Sequence, residues 1–234
     1  MNYKKYHRDK TYQENESHFK NIFMTRFRIA NYFVKVGTSK KVLDIGASTG
    51  IMLDIFKEHG WETWGVEPSI SALRAKNKKH KILKTYFEKV RLPENYFDLV
   101  IMNHTLEHLD NPKLILKKVY KILKKDGILL VDVPNAGSLA SQIMEDTWPY
   151  RLPKEHKHQF TKESLSQVFK NSGFKVEYSK SRSGMFEFAN PIAEIVEAFM
   201  SGKKRFFTDI INIPYDILVT SLNMGDSISV VGKK

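Results

Sequence analysis

The sequence predicts an α/β fold, a mostly parallel sheet with helices on both faces. Two observations carry that prediction. From Lys41 to Val133, short apolar runs alternate with longer stretches of helical period, and turn residues mark the changes. The apolar runs also show little polar alternation, as expected of strands buried on both faces.

Each element follows in order. Lys41-Val42-Leu43-Asp44-Ile45 reads as a first strand ending at Gly46, and Ile51 to His59 as a helix stopped by Gly60. Thr63 to Val66 is a second strand, followed by a helical stretch from Ser69 to about Lys79, and Ile82-Leu83 opens a short third strand. Phe97 to Met102 is a fourth. Asn111-Pro112 predicts a helix cap with proline at the first helical position. That helix carries Leu114, Ile115, Val119, Ile122 and Leu123 on one stripe and stops near Gly127. Ile128 to Val133 is a fifth strand, closed by Pro134-Asn135, and a sixth is expected near Phe174 to Tyr178. In such sheets ligands sit beyond the carboxyl ends of the strands, which directs attention to Gly46, Glu67, Asn103 and Asn135.

Composition narrows the chemistry without naming it. The chain has 234 residues, enough for one large α/β domain, and no cysteine, which excludes disulfides, thiolate-held zinc and thiol catalysis and suits a reducing, cytoplasmic compartment. The beginning MNYKKYHRDK lacks the apolar run of a signal peptide, and no stretch has the length a spanning helix needs. The net charge of +12 invites a nucleic-acid or anionic-membrane partner, but the lysines are dispersed along the polar sides and ends of the expected helices. Nucleic acid is therefore not the expected partner.

The most informative turn is Asp44-Ile45-Gly46-Ala47-Ser48-Thr49-Gly50. A nicotinamide-dinucleotide site needs G-x-G-x-x-G; here the three positions are Gly46, Ser48 and Ile51, so two of three fail. What remains is a strand, a tight small-residue turn and a helix, with Glu67 at the end of the second strand. A carboxylate there suits the two hydroxyls of a ribose.

These segments carry a family resemblance. VLDIGASTG, GVEPS, FDLVIMNHTLEHLDNP and ILKKDGILLVDVPN resemble the successive motifs of class I S-adenosylmethionine-dependent methyltransferases, in the branch of ubiquinone-pathway O-methyltransferases and small-molecule and sugar methyltransferases. The likeness runs from about Val42 to Phe174 and resumes at Gly225 to Gly232, which resembles the antiparallel last strand of that fold. It implies a Rossmann-like seven-stranded sheet in residues 41–234, and S-adenosyl-L-methionine as cofactor. Asp44, Gly46, Ala47, Ser48 and Gly50 would line its methionine portion, Glu67 with the adjoining Pro68 its ribose, and Phe87 its adenine; Asn103 and His104 would sit beside the methyl-bearing sulfur. The chain departs from the pattern twice. Ser48 stands where the family usually has glycine, so a slightly wider turn is expected, and Tyr86 stands where it usually has an aspartate for the adenine amino group.

His104-Thr105-Leu106-Glu107-His108 matches the H-x-x-E-H pattern of certain zinc peptidases. A peptidase would carry the pair within a long helix, whereas here it follows the fourth strand at the sheet rim. The spacing is expected to put His104, Glu107 and His108 on one helical face. Glu155-His156-Lys157-His158-Gln159-Phe160 follows the fifth strand at the same rim and resembles the E-H-x-H-x-F segment of this branch. His104, His108 and His158 are the candidate base or acceptor-contact histidines. A divalent metal ion is the second reading, since in some family members the E-H pair belongs to a metal site, and an ion there would orient a hydroxyl and lower its pKa. Structural histidines are the third.

Two segments lie outside the motifs. Residues 1–40 carry Tyr3, Tyr6, Tyr12, Phe19, Phe23, Phe27 and Phe33 in a helical pattern and are expected to form a lid segment. Residues 185–224 form a helical insert in which apolar residues flank Gly202-Lys203-Lys204-Arg205; roofing the acceptor pocket, a dimer contact and peripheral contact with an anionic membrane are all open to it. The leading function is methylation of an oxygen, less readily a nitrogen, of a small-molecule, sugar or lipid-linked acceptor. An RNA methyltransferase is the enzymatic alternative, although the N-P-P-[YFW] motif of base-amine enzymes is absent at Asn103-His104-Thr105. A catalytically silent cofactor-binding subunit is the alternative from another class.

Overall fold

The computed structural model describes residues 11–12, 14–35, 40–201 and 205–234. Tyr3, Tyr6, Lys203 and Lys204, which entered the lid and hinge expectations, lie outside them. The chain forms α1 (Glu16–Phe33), β1 (Lys41–Ile45), α2 (Ile51–Glu58), β2 (Glu62–Val66), α3 (Ala72–Asn77), β3 (Lys81–Leu83) and β4 (Phe97–Asn103). It continues through α4 (Pro112–Ile122), β5 (Leu123–Pro134), α5 (Leu139–Met144), α6 (Lys162–Asn171), β6 (Lys175–Arg182), α7 (Pro191–Met200), α8 (Arg205–Ser221) and β7 (Ser227–Lys233). The seven strands make one sheet in the order β3-β2-β1-β4-β5-β7-β6, with β7 antiparallel to both neighbours and the other six strands running the same way. The expected architecture is present.

Strand alternation builds a core on each face. Leu43, Val100, Met102, Leu129 and Val131 face α4 and α6, meeting Ile115, Leu116, Val119, Leu165 and Phe169. Their sequence neighbours Val42, Leu99, Ile101, Ile128 and Leu130 face α1 and α2, meeting Phe23, Phe27, Ile55 and Phe56. Truncating one of these fully buried leucines to alanine would cost about 2–5 kcal/mol. Asn111 Oδ1 caps α4 by accepting from the Leu114 amide at 3.1 Å, with Pro112 at the first helical position. Asn190-Pro191 repeats the device on α7, where Asn190 Oδ1 accepts from the Ala193 amide at 3.1 Å.

Three boundaries differ from expectation for identifiable reasons. The helix after β2 begins at Ala72, because the Ser69 amide is tied to the Glu67 carboxylate and Ser69 Oγ to Ser71 Oγ, which makes the entry a turn. The α4 helix ends at Ile122, because Leu123 pairs with Phe97 as the start of β5. Finally, β6 extends to Arg182, because β7 continues to pair with it as far as Arg182 opposite Ser227.

Candidate functional site

The turn after β1 is built by backbone geometry. Gly46 has φ +85°, and a Cβ there would overlap Thr105 Oγ1, so no larger residue fits. Its amide and that of Ala47 donate to the Val66 carbonyl at 2.8 and 3.3 Å, folding the turn onto β2. Ser48 adopts φ +46°, a left-handed conformation that favours glycine. Ser48 thus takes, at a cost in strain, a backbone conformation that glycine adopts freely.

Glu67 is buried at the end of β2, and its two oxygens accept from the Ser48 amide (2.9 Å) and the Ser69 amide (2.8 Å). It thus clamps the turn while each oxygen keeps a second lone pair for a ligand hydroxyl. Asp44, buried near the end of β1, has its carboxyl pushed up to about 7 by burial and by the charge of Glu67.

Two adjoining cavities surround this turn. Gly46, Ser48, Glu67, Pro68, Phe87, Asn103, His104 and His108 line one, and Asp44, Gly46, Ala47, Ser48 and Asn103 line the other. Nearly all the residues expected to hold the cofactor thus meet in space. Gly50 lines neither; it is the N-cap of α2, at φ +83°. Glu88 joins Tyr86 and Phe87 on the wall, two residues after the position where Tyr86 replaces the expected aspartate. Ser48 Oγ and Asn103 Oδ1 are buried without a protein hydrogen-bond partner. Orphaned polar atoms of this kind fit a ligand with both donors and acceptors, as S-adenosylmethionine has.

The rim after β4 is arranged differently from the expected helical face. His104 precedes any helix at φ +48°, its amide held by the Asp132 carbonyl at 2.8 Å, and only Leu106–His108 forms a single 3-10 turn. Glu107 is nevertheless surrounded by imidazoles: its Oε1 lies 3.6 Å from His104 Nδ1, 3.9 Å from His108 Nε2 and 4.0 Å from His156 Nε2. Neither Glu107 oxygen accepts a hydrogen bond, although the side chain is almost fully buried. His108 Nδ1 donates to the Glu155 carbonyl (2.9 Å) and His156 Nδ1 to the Tyr150 carbonyl (2.8 Å). In a neutral ring that uses its Nδ1–H in this way, Nε2 carries a lone pair, and the two Nε2 atoms lie 3.9 and 4.0 Å from Glu107 Oε1. Burial pushes His156 toward its neutral form; for His104 burial acts the same way, but Glu107 and Asp132 outweigh it and raise its pKa. His158 stands apart, its Nε2 3.3 Å from the Asp110 carbonyl and its ring stacked on Phe160. Of the E-H-x-H segment it is His156 that joins the cluster.

A larger cavity, of about 680 Å³, opens beyond Asn103 and His104. Its apolar wall includes Phe19, Phe23, Ile143 and Met144, and its polar wall Arg26, Glu187, Tyr215, Asp216 and Asp226. Arg26 is held between Asp132 (3.0 Å) and Glu187, while Asp132 also takes Arg182, Ser227 and Ser229, and these cations hold the Asp132 carboxyl well below the usual range despite its burial. Asp216 accepts from the Met185 amide at 3.1 Å across Gly184, where a Cβ would overlap its carboxylate. Tyr12 lines all three cavities. Arg26 was legible as the lone cation in the apolar stripe of α1; Asp132, Glu187 and Asp216 carried no comparable signal.

Comparison with known proteins agrees with this geometry. The profile of a methyltransferase-domain family matches residues 23–179, from within α1 to within β6. A ubiquinone biosynthesis O-methyltransferase of Rhodopseudomonas palustris is 26% identical over 167 residues, covering 66% of this chain and 64% of that protein. A ubiquinone/menaquinone biosynthesis C-methyltransferase of Paraburkholderia xenovorans is 32% identical over 115 residues, 45% of this chain and 46% of that one. The chain thus spans less than two thirds of the length of either relative. Among solved structures, an S-adenosylmethionine-dependent methyltransferase from Thermotoga maritima superposes with a TM-score of 0.62 at 20% identity, covering 97% of this chain and 98% of its own. Phosphoethanolamine N-methyltransferase 2 of Haemonchus contortus, in complex with S-adenosyl-L-methionine, gives 0.64 at 18% identity over 100% of this chain and 60% of its own. Motifs, sheet order and profile agree, and the chain belongs to the methyltransferase-domain family of class I S-adenosylmethionine-dependent methyltransferases.

Proposed function

We propose that the protein transfers a methyl group from S-adenosylmethionine to an oxygen of a small-molecule, sugar or lipid-linked acceptor held in the 680 Å³ cavity. The observation that carries this reading is shared lining: Asn103 and His104 border both the cofactor-side cavity and the larger one. A group passing between two ligands would cross at that point. Bound S-adenosylmethionine would supply the methyl as a substituent of a sulfonium, a good leaving group.

The protein's part is position and proton control. Glu67 would orient the ribose, Ser48 and Asp44 would face the methionine portion, and Asn103 Oδ1 would meet the polarised end of the cofactor. His104, beside Glu107, would take the acceptor's hydroxyl proton as the acceptor oxygen attacks the methyl carbon. His108 and His158 were the other candidate bases; His108 borders the cofactor side and His156 supports Glu107, whereas His158 has its ring engaged elsewhere. His104→Ala should lower turnover at least tenfold with nearly unchanged cofactor affinity. Labelled cofactor incubated with extract fractions would identify the acceptor; a nuclease-sensitive product would transfer the assignment to RNA, and absence of any accepting fraction would favour the silent-subunit alternative.

A second role for the rim rests on the orphaned Glu107 carboxylate. Glu107, His108 and His156 bring ligand atoms to within 4.8 Å of one another. Both histidines give their other ring nitrogen to a main-chain carbonyl, the second-shell pattern of metal-ligating imidazoles. These residues would hold a divalent ion, and that ion would lower the pKa of an acceptor hydroxyl.

A further inference from the structure

The wall expected to carry the adenine hangs on a segment with little regular structure. After β3, residues 84–96 cross to β4 without a helix or strand, and Tyr86, Phe87 and Glu88 of this segment line the cofactor-side cavity. Within it the Lys89 amide donates to the Tyr86 carbonyl at 3.0 Å and the Val90 amide to the Phe87 carbonyl at 3.3 Å, which makes a turn. The carbonyls of such a turn keep acceptor capacity that calls for donors from elsewhere. Lys118, on α4, supplies them. Its Nζ donates to the carbonyls of Phe87 (2.5 Å), Glu88 (3.1 Å) and Val90 (2.7 Å), and it lies over the Phe87 ring, 4.7 Å from the centroid. An ammonium has three N–H groups, so each finds an acceptor here. Burial lowers the Lys118 pKa against the opposing charge of Glu88, as expected of an ammonium that has exchanged water for main-chain dipoles. The neighbouring Lys113, Lys117 and Lys121 are exposed, whereas Lys118 is half-buried. Its place on α4, three residues after Ile115 and four before Ile122, lays its stem beside the core-facing stripe and brings its head to the turn.

We infer that Lys118 is a positioning residue for cofactor binding, holding the turn at 86–90 in the shape that presents Phe87 to the adenine. The inference rests on the S-adenosylmethionine reading of the cavity. Lys118 lines none of the three cavities, so its effect on a ligand is exerted through the turn. Without its ammonium the turn keeps its two local bonds and the burial of Phe87, but three carbonyls lose their donor and the ring loses its cation. A looser turn must then be ordered when the ligand arrives, and that ordering is subtracted from affinity. Glu67 does the corresponding work at the other end of the nucleoside, where it clamps the Ser48 and Ser69 amides beside the ribose position. The two devices are separate in space and chemistry: a carboxylate gathers amides at one end, and an ammonium gathers carbonyls at the other. Loss of Lys118 should therefore be felt by the base and not by the sugar or the amino-acid part.

The test uses the full chain with two ligands: S-adenosylhomocysteine, and S-ribosylhomocysteine, which has the same sugar and amino-acid parts but no base. Lys118→Met keeps an apolar stem and removes the donors and the charge. By calorimetry it should weaken S-adenosylhomocysteine about tenfold, the size of a lost set of charged hydrogen bonds that water partly replaces. S-ribosylhomocysteine, followed by competition, should bind the variant and the wild type alike. Hydrogen exchange of the cofactor-free variant should show the Lys89 and Val90 amides opening about tenfold faster while those of α4 keep their protection. Lys121→Met, at an exposed position of the same helix, should change neither measurement. Unchanged affinity of Lys118→Met for S-adenosylhomocysteine would overturn the inference. So would equal weakening of both ligands, which is what a general loss of structure produces. Wild-type protein that binds neither ligand would strike the cofactor reading and this inference with it, whereas failure of the inference alone shows only in the variant.

Discussion

Cofactor affinity should depend on pH through Asp44. Its carboxyl is buried beside Glu67, and together burial and that neighbouring charge raise its pKa from 3.8 to about 7. Because the folded-state value is raised, the contribution to apo stability is complete below the unfolded-state value and is lost as pH rises through 7. By the conversion of 1.36 kcal/mol per pH unit, the loss is about 4 kcal/mol. S-adenosylmethionine brings an ammonium and a sulfonium, both of which favour the ionised carboxylate. Binding that requires ionised Asp44 weakens by a factor of one plus ten to the power of the pKa minus the pH. From pH 8 to pH 6 this is about tenfold. Titration calorimetry at pH 6, 7 and 8 would measure it, with Asp44→Asn as reference, because the ligand's own α-amino group titrates at about 8. The asparagine variant should bind more weakly at pH 8, show a flatter profile between pH 6 and 7, and unfold at a higher temperature without cofactor at pH 8. A wild-type affinity constant across that range, or an asparagine variant with the same slope, would refute the assignment of the proton to Asp44.

Glu67→Ala should weaken S-adenosylmethionine and S-adenosylhomocysteine equally, by about 1.5–3 kcal/mol for charge-assisted hydrogen bonds to groups unchanged by transfer; calorimetry with each ligand would check this, and unequal losses would contradict it. Ser48→Gly should relieve the left-handed backbone and stabilise the apo protein by about 1 kcal/mol, read as a raised melting temperature. For the metal role of the rim, elemental analysis of the purified protein should find a divalent ion that is lost on chelation and restored on addition, with activity following. His156→Ala should weaken ion binding while His158→Ala leaves it intact; activity indifferent to chelator would leave Glu107 acting only on its histidines.

Much of the site was legible before any tertiary structure because its parts are local. Gly46, Glu67 and Asn103 stand at strand ends, and alternating strands and helices in a parallel sheet bring successive strand ends to one rim. Asn111-Pro112 named its own helix start, since a cap is a bond between residues three apart. Spacing could also collect the histidines, but it could not choose among them. Whether His156 or His158 reaches Glu107 depends on how residues 145–160 leave α5 and return across the rim, and backbone bonds from Lys157 and His158 to the Glu107 carbonyl decide it. The same holds for Arg26 with Asp132, and for Asp216 above Gly184. These groups are separated by 106 and 32 residues, and each meeting is set by the packing of whole elements. Local sequence specifies backbone conformation because the competing interactions lie within a few residues. Burial and charge pairing depend on what the rest of the chain places opposite: the packing of α1 against β5 sets Arg26 on Asp132, and the packing of α8 against the turn at Gly184 sets Asp216 there.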